Sequence, residues 1–227
     1  MVAAVTKADE LPVSYTQYPM FLIIPVNIFV AAQAPALVSR DLRFKVMPLY
    51  LSRPLGRSDY VLAKFAALSS ALFLLIAIPL VVLYAGGLLA KLPFWAQTKG
   101  VLSALVTAAL LALVLGGIGL LIASITPKRG FGVAAVITVL LLLSVVSTVL
   151  QQLADNNDQD KLAGYLGAID PSALVDGVQV WLFDAEPSTV AGPPGTLGGI
   201  VFLLLTVAVV AGCYGLLLLR YRKVSAS

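Results

Sequence analysis

Residues 60–89 read YVLAKFAALSSALFLLIAIPLVVLYAGGLL, with Lys64 the one charged side chain in the run. As a helix rising about 1.5 Å per residue it would extend about 45 Å, well beyond a hydrocarbon core of about 30 Å. Four other stretches, 18–38, 100–125, 131–153 and 196–219, have the same character. Each reaches the roughly 20 residues that a spanning helix needs. The expected fold class is therefore an all-α polytopic membrane protein with five transmembrane helices, forming one domain over 1–227. A loop at 39–59 and a long segment at 154–195 complete it.

Composition agrees. Charged residues are 11% of the chain and hydrophobic ones 60%, and a water-soluble domain of this length could not bury so much apolar surface. The single cysteine, Cys213, lies inside the last apolar stretch, so no disulfide framework is expected. A net charge of +4 would suggest nucleic acid in a soluble protein. Here the basic residues are sorted by loop instead, which sets topology and leaves no nucleic-acid partner to expect.

Short loops rich in Lys and Arg stay in the cytoplasm. The loop after the first stretch carries Arg40, Arg43, Lys45, Arg53, Arg57 and Lys64, the third loop Lys128 and Arg129, and the tail Arg220, Arg222 and Lys223. The opposite side holds Lys7, Lys91, Lys99 and Lys161, together with Asp9, Glu10, Asp155, Asp158, Asp160, Asp170, Asp176, Asp184 and Glu186. The two sets alternate along the chain. The expectation is a multi-pass protein of a bacterial plasma membrane, with its C-terminus cytoplasmic and the N-terminus outside. Residues 1–17 contain no basic, apolar, cleavable export signal. Descent from a six-helix protein lacking its first helix would reconcile that with the orientation.

Local chemistry marks the ends of the stretches. Ser58 and Asp59 are placed to cap the second span and to face the positive end of its dipole. Pro127 closes the third, and Trp95 and Tyr84 suit the outer interface. Gly119 and Ala123, like Gly195 and Gly199, stand four apart on one face, a spacing that lets helix backbones approach; packing is expected over a dimer seam. Pro19, Pro25, Pro35 and Pro79 remove backbone donors and imply kinks.

Mid-span positions hold no Asp, Glu, Lys or Arg, which disfavours a proton- or ion-driven carrier. Without histidine or a mid-span aspartate, an intramembrane protease cannot be assembled either. Asn27 and Gln33 are the notable polar groups of the first stretch, and interhelical hydrogen bonding accounts for them as well as substrate contact does.

The loop after the first stretch is the candidate functional segment. Leu42, Val46, Leu49 and Tyr50 recur at helical spacing, with Arg43 and Lys45 on other faces. A short amphipathic helix is expected, lying among anionic headgroups or offering its apolar stripe to a cytoplasmic groove.

The run from Leu37 through Arg40, Asp41 and Leu42 to Arg43, followed by 48–64 with Ser52, Arg53, Pro54, Arg57, Tyr60 and Lys64, resembles the coupling region of type 2 ATP-binding-cassette (ABC) permeases. The resemblance implies a six-helix permease fold, here minus helix 1. Its cytoplasmic coupling helix would dock on a separate ABC ATPase subunit. Arg40, Asp41, Leu42, Arg43, Val46, Leu49, Tyr50, Arg53 and Arg57 would be the coupling residues. It also implies a homodimer or heterodimer of permease subunits, export of a substrate, and short outer helices dipping into the outer leaflet, for which Leu174, Val175, Val178, Trp181 and Leu182 are candidates. The glycine-rich phosphate loop ending in Gly-Lys-Ser/Thr is not in the sequence. No cofactor is expected in this chain, ATP and Mg being bound by the partner. The competing expectation is a non-transporting membrane anchor or assembly factor that binds the same ATPase.

Overall fold

The computed structural model describes residues 14–44, 57–125 and 128–224, with the side chains of 39–44, 57 and 222–224 left aside. Among these residues the chain is helical and carries no strand. In order the elements are α1 (Tyr18–Phe21), α2 (Ile23–Phe44), α3 (Arg57–Leu89), α4 (Phe94–Ala123), α5 (Arg129–Asp155), α6 (Asp160–Leu166), a 3-10 turn (Gly167–Ile169), α7 (Pro171–Phe183) and α8 (Gly195–Val224).

Four of them, α3, α4, α5 and α8, are long and apolar enough to cross a membrane. Large apolar side chains such as Ile78, Val82, Leu141 and Leu204 face outward from them, as lipid contact requires. The protein is a polytopic membrane protein.

The first expected span differs from a single helix over 18–38. It breaks at Leu22, and the apolar part of α2, Ile23–Val38, is shorter than the other four. Pro25 is the physical reason: it has no N–H to give the Phe21 carbonyl, so the ladder is interrupted one turn upstream. Beyond Val38 the helix runs on unbroken to Phe44. Residues 39–44 are therefore the last turn and a half of a membrane helix and not the start of a separate one. At the next helix the start is Arg57, so Ser58 and Asp59 occupy the first turn of α3 instead of capping it.

α4 is the hub. More than half of its apolar length is buried against protein, against a third or less for α3, α5 and α8, and it touches α2, α3, α5, α7 and α8. Lipid gives no hydrophobic drive for helix association, so close packing must supply it. Gly116, Gly117 and Gly119 point to three faces, meeting Ser69 of α3, Cys213 of α8, and Val30 with Ala34 of α2. A β-carbon at Gly119 would overlap Val30. The small-residue spacing thus serves packing within one chain, as expected.

Candidate functional site

The basic ends of α2, α3, α4 and α8 converge. Lys64 on α3 donates from Nζ to the main-chain carbonyl of Leu37 on α2, and its ammonium stands 4.9 Å from the centroid of the Tyr60 ring. Tyr60 in turn meets Tyr221 of α8 edge-on, with centroids 5.6 Å apart. Arg220 donates through Nε to the Ser124 carbonyl at 2.7 Å and through Nη2 to the Ile125 carbonyl at 3.1 Å. Those carbonyls follow α4, where the helix leaves its acceptors unpartnered. A planar guanidinium suits two of them at once and also answers the negative end of the dipole.

This clasp fixes the two stems from which the candidate coupling segment hangs. Arg40, Asp41, Leu42 and Arg43 lie on the final turns of α2, and Arg57 is the first residue of α3. Val46, Leu49, Tyr50 and Arg53 lie outside the described residues. The structure thus joins the two stems through Lys64 and Leu37, each seven residues inside the helix end that flanks the segment.

A family model for the ABC-2 family transporter protein matches residues 1–223, nearly the whole chain. The chain belongs to that family. No curated protein and no solved structure matches it significantly. As an ABC-2 family member it is the membrane permease subunit of an ABC transporter and pairs with an ABC ATPase subunit.

At the other end of this ABC-2 chain the segment between α5 and α8 folds into the bundle. Ser147, two turns below the end of α5, donates to the Leu166 carbonyl at 3.0 Å, and Gly167 lies against Gln151 and near Phe202. Along α7, Leu174 and Val178 join Phe202 in one apolar cluster, whereas Trp181, further on, covers Gly199 at the top of α8. Read by depth, α6 descends, the 3-10 turn is lowest, and α7 climbs back. The pair is a re-entrant hairpin.

The expected short helices of this segment are present, and their apolar side chains meet the bundle. Every residue of α7 from Pro171 to Gln179 is buried, so Leu174, Val175 and Val178 pack on protein; Leu182 alone of the five is exposed. The start of α7 is secured locally. Pro171 opens the helix, and the Asp170 carboxylate accepts from the Ser172 amide at 3.2 Å and from its hydroxyl at 2.6 Å.

Burying this hairpin takes polar groups out of water. Asp176 and Gln179 are each only 1% exposed. Asp176 Oδ2 accepts from the Ser188 amide at 2.8 Å and Gln179 Nε2 donates to the Thr16 carbonyl at 2.7 Å, but Asp176 Oδ1, Gln179 Oε1 and Gln151 Nε2 have no partner among the described residues. Desolvation raises the Asp176 carboxyl above its ordinary value, while the Ser188 amide and hydroxyl act in the opposite sense. Sequence reading passed over these residues. The available signal was one Asp and one Gln inside an otherwise apolar run.

Between α2 and α5 a groove of about 320 Å³ is lined by Ile23, Ile24, Asn27, Ile28, Ile137, Leu140, Leu141, Ser144 and Val145. The Asn27 amide oxygen is buried there without a partner, so the interhelical bond expected of it is not made through that atom. Gln33 faces outward.

Proposed function

We propose that this permease subunit is half of an ATP-driven exporter, that its basic end faces the cytoplasm of a bacterial cell, and that the segment from Arg40 to Arg57 is where the ATPase subunit docks. The observation that carries the proposal is the clasp. Lys64, Leu37, Tyr60, Tyr221 and Arg220 bind the stems of the segment to α4 and α8, so a push on the segment is delivered to the bundle and not absorbed by loose stems. The unbroken run of α2 from the membrane to Phe44 supports the same reading, because a rigid helix transmits displacement.

In this mechanism ATP is bound with Mg and hydrolysed by the partner, which closes around nucleotide and moves the segment. α2 and α3, each continuous through an internal proline that removes one ladder bond, Pro35 and Pro79, change their packing on α4 in response. The ATPase must bind one arrangement more tightly than the other for its cycle to drive the change. Two permease subunits would enclose the path, with the apolar groove of α2 and α5 and its single unpartnered amide suited to an amphiphilic cargo.

The test is to replace Leu49 or Tyr50 with Asp and measure ATPase stimulation by the permease in proteoliposomes. Loss of stimulation with helix content intact is expected. Undiminished stimulation in both variants would remove the segment from the docking role.

A further inference from the structure

We infer that Asp176 and Gln179 form a proton-binding site in the re-entrant hairpin, occupied while the hairpin is seated and emptied when it leaves the bundle. The two residues are three apart on α7, a spacing that places side chains side by side on one helical face. Each is almost fully buried, and each ends in an oxygen without a partner among the described residues, Asp176 Oδ1 and Gln179 Oε1. Two such acceptors on one buried helical face are costly. A single proton on Oδ1 turns that atom into a donor and gives Gln179 Oε1 the partner it lacks.

The other ways of satisfying the pair fit less well. Turning the Gln179 amide over would set Oε1 against the Thr16 carbonyl, acceptor against acceptor, and lose the present 2.7 Å bond. Among the described residues no group of three His, Cys, Asp or Glu side chains gathers to hold a metal ion.

Among the described residues no neighbouring charge supplies a counter-ion. α8 carries no charged residue between Gly195 and Leu219, α4 only Lys99 near its outer start, and α5 only Arg129 and Asp155 at its two ends. The Asp170 carboxylate at the head of α7 is bonded to Ser172. Asp184 and Glu186 follow on the connecting strap, and Tyr15 precedes Thr16. The influences on the Asp176 carboxyl are its burial and the two groups of Ser188.

The sign follows. Burial raises the carboxyl in the seated state, so the seating it favours is fully present below the ordinary Asp range and is lost as pH rises through the raised value. Unseating then releases a proton to the side on which the hairpin opens.

The test uses the full chain in proteoliposomes, with Trp95→Phe leaving Trp181 as the sole indole to report seating through its contact with Gly199. Infrared difference spectra and Trp181 emission are recorded together from about pH 5 to about pH 9. The expected result is a protonated-carboxyl band that vanishes in Asp176→Asn. Where the band titrates in the parent, Trp181 should shift to a wetter emission at the same pH. Asp176→Asn offers Gln179 an N–H and keeps an oxygen for Ser188, so its Trp181 should stay seated at every pH. An ionised Asp176 beneath a seated Trp181, or a Trp181 transition that survives unmoved in Asp176→Asn, would overturn the assignment.

Discussion

At the basic end of the bundle, cationic side chains reach main-chain carbonyls, Lys64 to Leu37 and Arg220 to Ser124 and Ile125; at the opposite end, oxygens of Tyr15, Gln97, Asp176 and Gln179 are buried without partners. The same four long helices run between both. A clasp of charge-assisted bonds holds one arrangement strongly, since each such bond contributes about 1.5–3 kcal/mol. An end whose polar atoms are only partly satisfied holds its arrangement weakly, and a proton or a shift of packing can change it. The pairing of a firm end with a yielding end suits a subunit driven from one side of the membrane to open on the other.

The comparison can be broken most forcefully at the hairpin. Gly199→Leu puts a side chain where Trp181 now lies, and the overpacking should cost about 3 kcal/mol of hairpin seating. Hydrogen exchange over 171–183 should accelerate more than a hundredfold, while exchange near Ser124 stays as it was. Acceleration at both ends together would mean that the two are one cooperative unit. Phe202→Ala removes the ring that Leu174 and Val178 pack on. In lipid the loss is chiefly the cavity left behind, of order 2 kcal/mol, readable as a lowered unfolding midpoint in detergent.

At the clasp the expected effects are smaller. Arg220→Ala should cost about 1.5 kcal/mol and show as faster exchange at the end of α4, with Arg220→Lys recovering only part because an ammonium lacks the two-point fork. Lys64→Met keeps the aliphatic stem and removes the charge with its bond to the Leu37 carbonyl, so a loss of about 1.5 kcal/mol, the low end for a charge-assisted bond, is expected from thermal unfolding. No measurable loss from either Arg220→Ala or Lys64→Met would contradict the assignment of the basic end as the firm one.

How much of this was legible in the sequence depends on the kind of signal. Spans and the segregation of basic residues follow from length and charge, and the structure carries four long apolar helices where the hydropathy put them. The hub role of α4 was not legible, because α3, α4 and α8 are apolar all round and a uniform helix does not declare its buried face. Only Gly116, Gly117 and Gly119 hinted at it. The break at Leu22 was foreshadowed by Pro25, although its position depends on local geometry. The re-entrant hairpin was hidden for a different reason: amphipathic spacing in 171–183 is the same whether the apolar face meets lipid or a helix, and tertiary contact decides between them. Asp176 and Gln179 look like the polar edge of such a helix until Ser188 and Thr16 are seen to enclose them. Of the coupling residues, resemblance supplied the roles, and the structure adds that Arg40 to Arg43 lie within α2 and that Arg57 opens α3.

The most direct measurement is native mass spectrometry of the complex purified from mild detergent, parent against Leu49→Asp. The account requires an ATPase subunit bearing a Gly-Lys-Ser/Thr phosphate loop, present in equal number with the 23.8 kDa chain and lost from the variant while helix content is unchanged. A parent that carries no such subunit, or a variant that retains it in full, would contradict docking through the segment between α2 and α3.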